Sequence, residues 1–231
     1  MPGTMNATLR LGTFAATTAA SELAPEVAVK AAICLLDSLG LARAARDEPT
    51  AVAARATTTP IAPGPRTARI WADGKHAPLS EAVLANGIAV HAHFQDDTDH
   101  DSWTHPGSLI SPVAIGLGET LDAPLRTVLT ALTAGYSTLK WLGAGEAVAR
   151  GLIGRGVRTS PTFGTIGAAA AGAVMLGLDA ARATNAIAIA ACTTGGTLEP
   201  VRCGSDEWRV QNGRAAHGGL IAAELAARGV Q

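Results

Sequence analysis

A run of twenty residues without a charge, at positions 159–178, limits most strongly what this chain can fold into. A segment of this length is nominally long enough to cross a bilayer, and otherwise it has to be buried inside the protein. Alanine, glycine and threonine dominate the run, and Pro161 and Gly164 interrupt its start. This composition favours a buried core helix, which we predict at 163–176.

Small apolar side chains are abundant along the whole chain. Only 3% of the 231 residues are aromatic whereas 48% are hydrophobic, so alanine, valine, leucine and isoleucine have to fill the interior. Side chains of this size let helix axes approach closely, and the 26 glycines provide breaks between helices. The length suffices for one large core. We therefore predict an all-α fold, a single helical domain over residues 1–231.

Hydrophobic periodicity and breaking residues divide the rest of the chain into elements. We predict helices at 6–20, 25–45, 47–58, 80–90, 108–119, 124 through the 140s, 180–191 and 213–228. Ser80 is the predicted N-cap of its helix, because a hydroxyl can accept hydrogen bonds from backbone amides. A minor β-hairpin is predicted at 68–77, since the Asp73-Gly74 pair is typical of tight turns. We predict a loop at 195–212 that carries Trp208.

Charge and cysteine content exclude several partners and locations. The formal net charge is -1 without a long run of like charge, so we expect no nucleic-acid and no membrane partner. The three cysteines are far apart and form no C-x-x-C pair, which argues against a disulfide framework or a zinc knuckle. The sequence begins without a basic segment followed by an apolar run, so we expect no signal peptide. We predict a cytoplasmic protein.

The segment from His91 to His105 concentrates the residues that can do chemistry. It holds four of the six histidines and four aspartates. Imidazoles titrate near neutrality, and adjacent carboxylates shift one another's pKa, which suits proton transfer. One interpretation is therefore an acid–base site in which His105 works with Asp96 or Asp97.

Two other interpretations of this segment stay open. One is a metal site, because imidazole and carboxylate are common ligands; its members would be His91, His93, Asp97 and His100. The other is a polar loop in which Asp97 and Thr98 only cap a helix. We favour the acid–base site over both.

Four motifs follow one another along the chain. They are 33–40 (ICLLDSLG), the group Asn86-Gly87, His91-Ala92, Asp96-Asp97-Thr98 and His105-Pro106-Gly107, then 161–169 (PTFGTIGAA) and 213–219 (GRAAHGG). In this order they resemble the MmgE/PrpD family, which includes 2-methylcitrate dehydratase, cis-aconitate decarboxylase and iminodisuccinate epimerase. The resemblance extends over essentially the whole chain.

The resemblance implies a helical domain that joins a smaller α/β lid domain, with the active site between the two. It also implies cofactor-free chemistry in which a proton is removed or moved beside a carboxylate, as in dehydration, decarboxylation or epimerisation. An acid–base residue handles the proton while polar groups stabilise an enolate-like intermediate. Carried onto this chain, the motif makes Asp96, Asp97, Thr98 and His105 catalytic, with His105 as the proton-transfer residue.

Three positions depart from the family's pattern. Arg158 stands where an active-site histidine is expected, Trp208-Arg209 occupies the stretch in which many members carry a catalytic lysine, and Phe94 replaces an aspartate. Arginine stays protonated, so it does not exchange a proton, but it can bind both oxygens of a carboxylate. We predict Arg158 and Arg209 to be carboxylate clamps, and the alternative for each is a surface salt bridge.

Further substrate contacts are predicted from His91, Gln95 and Trp103. For His105 the alternative role is a histidine satisfied by a backbone carbonyl near a helix start. The expected function is a cofactor-independent lyase or isomerase that acts beside a carboxylate or carbonyl of a small substrate. The alternative is a non-catalytic binding or scaffold subunit of a heteromeric complex.

The sequence ends at Gln231, about where the resemblance implies that the helical domain passes into the lid. We therefore expect no lid within these residues, and a separate chain or a second copy to cover the site. Helices rich in alanine and glycine expose an apolar face unless they pair. A homodimer, which the resemblance also implies, is the prediction, with a heteromer containing a lid chain as the alternative.

Overall fold

The computed structural model describes residues 6–19 and 21–231, and helices make up most of it. The elements are α1 (Ala7–Ala19), α2 (Pro25–Ala44), α3 (Pro49–Ala56), β1 (Thr67–Arg69), β2 (His76–Pro78), α4 (Leu79–His91), α5 (Pro106–Leu121), α6 (Leu125–Gly143), α7 (Ala147–Gly154), α8 (Thr159–Met175), α9 (Ala180–Ala191), α10 (Glu199–Cys203) and α11 (Glu207–Ala227). The all-α prediction is confirmed. The predicted end of the first helix, Ala20, lies outside the described residues.

Helix α8 lies at the centre of the molecule. Fifteen of its 17 residues are buried, and it packs against α5, α6, α9 and α11. The packing with α11 is close, since a Cβ added to Gly219 would lie 2.4 Å from the Cβ of Ala168. Within residues 6–19 and 21–231, no helix has the length and apolarity needed to cross a membrane. The uncharged run is therefore a core helix, as predicted.

The predicted hairpin is present as a two-stranded antiparallel sheet. Strands β1 and β2 place Ala68 opposite Ala77, and Gly74 in the turn has a φ of 75°. The prediction that Ser80 caps the next helix is wrong. Leu79 already has helical geometry, because strand β2 runs directly into α4 and Pro78 takes the N-cap position.

Helix α8 begins four residues earlier than predicted, at Thr159. Pro161 was expected to interrupt this start. It lies in the first turn instead. Backbone amides in the first turn have no hydrogen-bond partner within the helix, so a proline there breaks no bond.

The loop predicted at 195–212 is wrong at 199–203 and at 207–212, which are helical. Residues Glu199–Cys203 form the short helix α10, and α11 already begins at Glu207. Gly213, the predicted start of the last helix, lies inside α11. A Cβ at this glycine would meet the carbonyl oxygen of Leu84 at 2.5 Å, so close packing against α4 explains a glycine in mid-helix.

Four helix ends meet at one place and position the candidate site. Helix α4 ends at His91, and α5, α8 and α11 begin close to His105, Arg158 and Trp208. The segment 92–105 connects α4 to α5 without regular structure, apart from an isolated bridge between its residues 99 and 104.

Candidate active site

The carboxylate of Asp96 lies between two imidazoles. Both of its oxygens are 2.9 Å from Nδ1 of His91, and Oδ1 is 3.7 Å from Nδ1 of His105. The side chains of His91 and Asp96 are buried. Burial raises the pKa of Asp96 to about 6, although the charge of His105 acts in the opposite direction. At pH 7 this carboxylate is therefore largely ionised.

The tautomer of His91 is fixed by the contact with Arg158. A guanidinium only donates hydrogen bonds, so Nε2 of His91 accepts from the Arg158 nitrogen that lies 2.5 Å away. The remaining ring proton is on Nδ1 and is donated to Asp96. Burial, followed by the charges of Arg158 and Arg209, holds the pKa of His91 well below its usual value. His91 is thus a neutral donor that orients Asp96.

His105 is held on one side of its ring only. Its Nδ1 lies 3.4 Å from the hydroxyl of Thr98 and 3.4 Å from the carbonyl oxygen of Asp96. Its backbone amide donates to the Ser160 hydroxyl at 3.2 Å. Its Nε2 has no hydrogen-bond partner among the described residues, and this atom is not fully buried. Burial lowers the pKa of His105, whereas the charge of Asp96 raises it.

The carboxylate of Asp97 makes its hydrogen bonds away from the His91, Asp96 and His105 cluster and links helices α5 and α6. Its Oδ1 accepts from the backbone amide of Gly107 at 2.7 Å, and its Oδ2 accepts from the hydroxyl of Tyr136 at 2.7 Å. The first bond satisfies a free amide in the first turn of α5, as the capping alternative requires of Asp97, whereas Thr98 caps no helix among the described residues. Burial raises the pKa of Asp97, while the bonds from Tyr136 and Gly107 lower it.

A cavity of about 410 Å³ opens beside Asp97, between α2 and α6. Its polar walls include Lys30, Cys34, Thr98 and Tyr136. Burial raises the pKa of the Cys34 thiol, and the charge of Asp97 acts in the same direction. Thr98 therefore borders this cavity on one side and contacts His105 on the other.

Two predicted substrate contacts lie outside the cluster. Gln95 is exposed, and Trp103 stacks beneath the guanidinium of Arg150 at 4.9 Å while its carbonyl oxygen accepts from the hydroxyl of Thr159. No hydrogen bond joins Gln95 or Trp103 to the imidazole pair within the described part of the chain.

The ligand set predicted for a metal is not assembled. Over residues 6–19 and 21–231, the one group of three metal-competent side chains is His91, Asp96 and His105. His93 and His100 are exposed and stand outside this group. The charge of Arg158 at Nε2 of His91 also disfavours a cation there, since like charges repel in a buried site.

Comparison with known proteins decides the family. A model of the MmgE/PrpD N-terminal domain matches residues 9–231. The chain belongs to the MmgE/PrpD family.

Three curated relatives of the family match part of the chain. Human cis-aconitate decarboxylase is 32% identical over 157 residues, which cover 67% of this chain and 32% of the relative. The cis-aconitate decarboxylase-like protein oryM of Aspergillus oryzae is 32% identical over 162 residues, 67% of this chain and 33% of its own length. The mouse cis-aconitate decarboxylase is 30% identical over 158 residues, 67% of this chain and 32% of its own length. The chain thus spans about a third of the length of these relatives.

The residues predicted to depart from the family pattern meet in the structure. The ring of Phe94 lies 4.7 Å from that of His105 and 5.0 Å from that of Trp208. Arg158 donates to the carbonyl oxygen of Trp208 and to His91. These residues are therefore neighbours, and together they enclose one side of the imidazole pair.

The two arginines predicted as clamps differ in their surroundings. Arg158 is only 4% exposed, so the surface salt-bridge alternative is wrong for it. Arg209 does form ion pairs, with Asp206 and with Glu48, and its Nε donates to the carbonyl oxygen of Ala92. Both guanidinium groups already have protein partners.

No sequence motif points to Tyr136, Ser160 or Lys30. Each lies on a helix distant in sequence from the His91–His105 segment, and none stands in a recognisable motif with it. Phe94 was noted only as a replacement. Its positive φ of 56°, unusual for a phenylalanine, turns the chain back after α4 and brings the ring over the cluster.

Proposed function

We propose that this helical domain belongs to a cofactor-independent lyase or isomerase that moves a proton beside a carboxylate or carbonyl of a small substrate. The observation that carries the proposal is that only one of the two ring nitrogens of His105 contacts other protein groups. Its Nδ1 faces Asp96 and Thr98, and its Nε2 is left without a protein partner. A histidine oriented in this way by a carboxylate is suited to general acid–base work at the free nitrogen.

In the proposed step, Nε2 of His105 takes a proton from the carbon next to the substrate's carboxylate or carbonyl. The electron pair of the broken C–H bond passes into an enolate-like intermediate. The Asp96 carboxylate, 3.7 Å from Nδ1, stabilises the imidazolium that forms. His105 then returns the proton to the substrate or to a leaving hydroxyl. In decarboxylation His105 starts as the imidazolium: the C–C bond breaks, its electron pair stays on the carbanion as carbon dioxide leaves, His105 protonates that carbanion, and water then restores the proton on His105.

The substrate class is proposed from the relatives. Human cis-aconitate decarboxylase and its mouse counterpart act, by their names, on a small tricarboxylate. We therefore propose a di- or tricarboxylate substrate for this chain. Arg158 serves in the proposal as a positioning residue, because its guanidinium is used by His91 and Trp208.

The test is proton exchange in deuterated water. The protein is incubated with small di- and tricarboxylates, and deuterium incorporation or turnover is followed by NMR. His105→Gln should reduce the rate by roughly 10²–10⁴-fold, the usual contribution of a general acid or base. The matched control is His93→Gln, an exposed histidine of the same segment, which should leave the rate unchanged. Activity that persists in His105→Gln, or that a chelator abolishes, would contradict the proposal.

The second candidate is a non-catalytic binding or scaffold subunit. Its supporting observation is the crowding of His105 by Phe94 and the use of both predicted clamp arginines inside the protein. This candidate predicts carboxylate binding without exchange in the same experiment.

For assembly and location we propose a cytoplasmic homodimer. The cysteines Cys34, Cys192 and Cys203 are all free, as in a reducing compartment. The exposed apolar face of α2 supports pairing. A partner chain that supplies a lid over His105 is the alternative, and neither nucleic acid nor a membrane is proposed as a partner.

A further inference from the structure

A second cavity, of about 400 Å³, lies between α8, α11 and the loop after α9. None of its lining residues belongs to the group His91, Asp96 and His105, and the link to that group is indirect, through Gln211, which accepts from Arg158 at 3.5 Å. Its polar walls come from Thr165, Thr193, Gln211, Arg214 and His217.

The cavity has an excess of positive charge. Arg214 lines it, and no aspartate or glutamate is among its lining residues. His217 follows Arg214 by three positions on α11, which puts both side chains on the same side of the helix. Burial lowers the pKa of His217, and the charge of Arg214 acts in the same direction.

Neither of these two side chains is used by the protein. Across residues 6–19 and 21–231, the guanidinium of Arg214 and the imidazole of His217 have no hydrogen-bond or ion-pair partner. Arg158 and Arg209 differ in this respect, because both donate to backbone carbonyl oxygens. Arg214 is an exposed residue that lines the cavity, and a guanidinium with free donors is suited to bind both oxygens of an anion.

The space for a ligand depends on Gly218. A Cβ at this position would lie 3.3 Å from Cγ2 of Thr165 and 3.8 Å from the hydroxyl of Thr193, so a larger side chain would fill the gap between α11 and its neighbours. A volume of about 400 Å³ is within the range of small-molecule sites.

We propose that this cavity binds the carboxylate or phosphate group of a small organic anion, with Arg214 as the main partner and His217 as a second donor. The site is independent of the proposed acid–base chemistry. Its ligand does not have to be the substrate, and binding does not require turnover.

The test follows the ring signals of His217 by NMR during titration with succinate, with inorganic phosphate and with the neutral succinamide, at constant ionic strength. Succinate, phosphate or both should shift these signals saturably, and succinamide should not. A response to succinate alone identifies a carboxylate ligand, one to phosphate alone identifies a phosphate ligand, and one to both identifies a general oxyanion site. No saturable response to either anion would overturn the proposal.

Three variants locate the ligand. Arg214→Gln should weaken binding at least about tenfold, because a charge-assisted pair is lost. The control Arg182→Gln, at an exposed arginine of α9, should bind as tightly as the original chain. Gly218→Val should prevent binding by filling the cavity while Arg214 remains. If Arg214→Gln binds unchanged, or if His105→Gln abolishes binding, the anion does not occupy this site.

Discussion

His91 and His105 share one carboxylate but have different roles, because their surroundings differ. His91 has both ring nitrogens occupied, by Asp96 and by Arg158, and this fixes it as a neutral donor. His105 has Nδ1 near Asp96, while its Nε2 has no partner among the residues described. In the proposed mechanism proton transfer is therefore assigned to His105, and the buried His91–Asp96 pair orients its ring and places a negative charge beside it.

Asp96→Asn should lower the pKa of His105. The carboxylate favours the imidazolium form and so raises this pKa against the effect of burial, which lowers it. Without the negative charge, the lowering by burial is opposed only by the hydrogen bond to the backbone carbonyl oxygen of residue 96, so the pKa should fall. NMR titration of the His105 ring signals measures the change directly, and the acid limb of any pH–rate profile should move to lower pH by the same amount.

The control for this substitution is Asp101→Asn. Asp101 belongs to the same segment, but its carboxylate pairs with Lys140 at the surface. The pKa of His105 should be unchanged in this variant. A His105 pKa that rises in Asp96→Asn, or stays constant, would show that the carboxylate does not control the ring.

Site residues that stand within one contiguous motif could be predicted from the sequence, whereas the distant residues that contact them could not. Asp96, Asp97 and His105 stand within ten positions of one another, so their pattern could be recognised in the sequence. The partners that hold them come from elsewhere: Tyr136 from α6, Ser160 and Arg158 from the start of α8. Those contacts depend on tertiary packing, which local sequence does not encode.

Among the elements, prediction succeeded where local signals agreed with packing. Helix α9 has the predicted bounds, because the Asp179 side chain accepts from the amide of Arg182 and so caps its start. The start of α11 was missed, since the last helix was predicted to begin only at Gly213. The backbone of Leu84 in α4 lies so close to this position that there is no room for a side chain, which explains a glycine within the helix. This contact is visible only in three dimensions.

Two glycine-to-alanine substitutions should have opposite effects on stability. In Gly219→Ala the new methyl group would lie 2.4 Å from the Cβ of Ala168 and 2.6 Å from the carbonyl oxygen of Thr165. Helices α8 and α11 would have to separate, at a cost of about 1–3 kcal/mol or more. Gly151→Ala on α7 meets nothing within 4 Å and should raise the free energy of unfolding by about 0.5–1 kcal/mol, from helix propensity.

Urea denaturation of both variants measures these changes. Equal stability of Gly219→Ala and the original chain would mean that α8 and α11 pack less closely than the structure shows. A destabilised Gly151→Ala would place α7 in a contact that is absent from the structure.

For the whole molecule, helix α2 presents the clearest surface for a second copy. Val29, Ile33 and Leu36 are 61%, 55% and 71% exposed, and they recur at the four- and three-residue steps of a coiled-coil seam. Lys30 and Asp37 lie on the same side of this seam, seven residues apart, and neither has an ion-pair partner among the residues described. In an antiparallel pair related by a twofold axis, Lys30 of each copy would lie near Asp37 of the other.

The homodimer proposed above should therefore depend on this seam and on its charges. Ile33→Asp should give a monomer by light scattering at micromolar concentration, because it buries an unpaired charge in the apolar interface. Val148→Asp, at an exposed apolar residue of α7, is the control and should leave the mass unchanged. Lys30→Asp should weaken the dimer by opposing like charges, and the double substitution Lys30→Asp with Asp37→Lys should restore it. A dimer that survives Ile33→Asp would locate the interface elsewhere, and failure of the double substitution to restore pairing would exclude the antiparallel register.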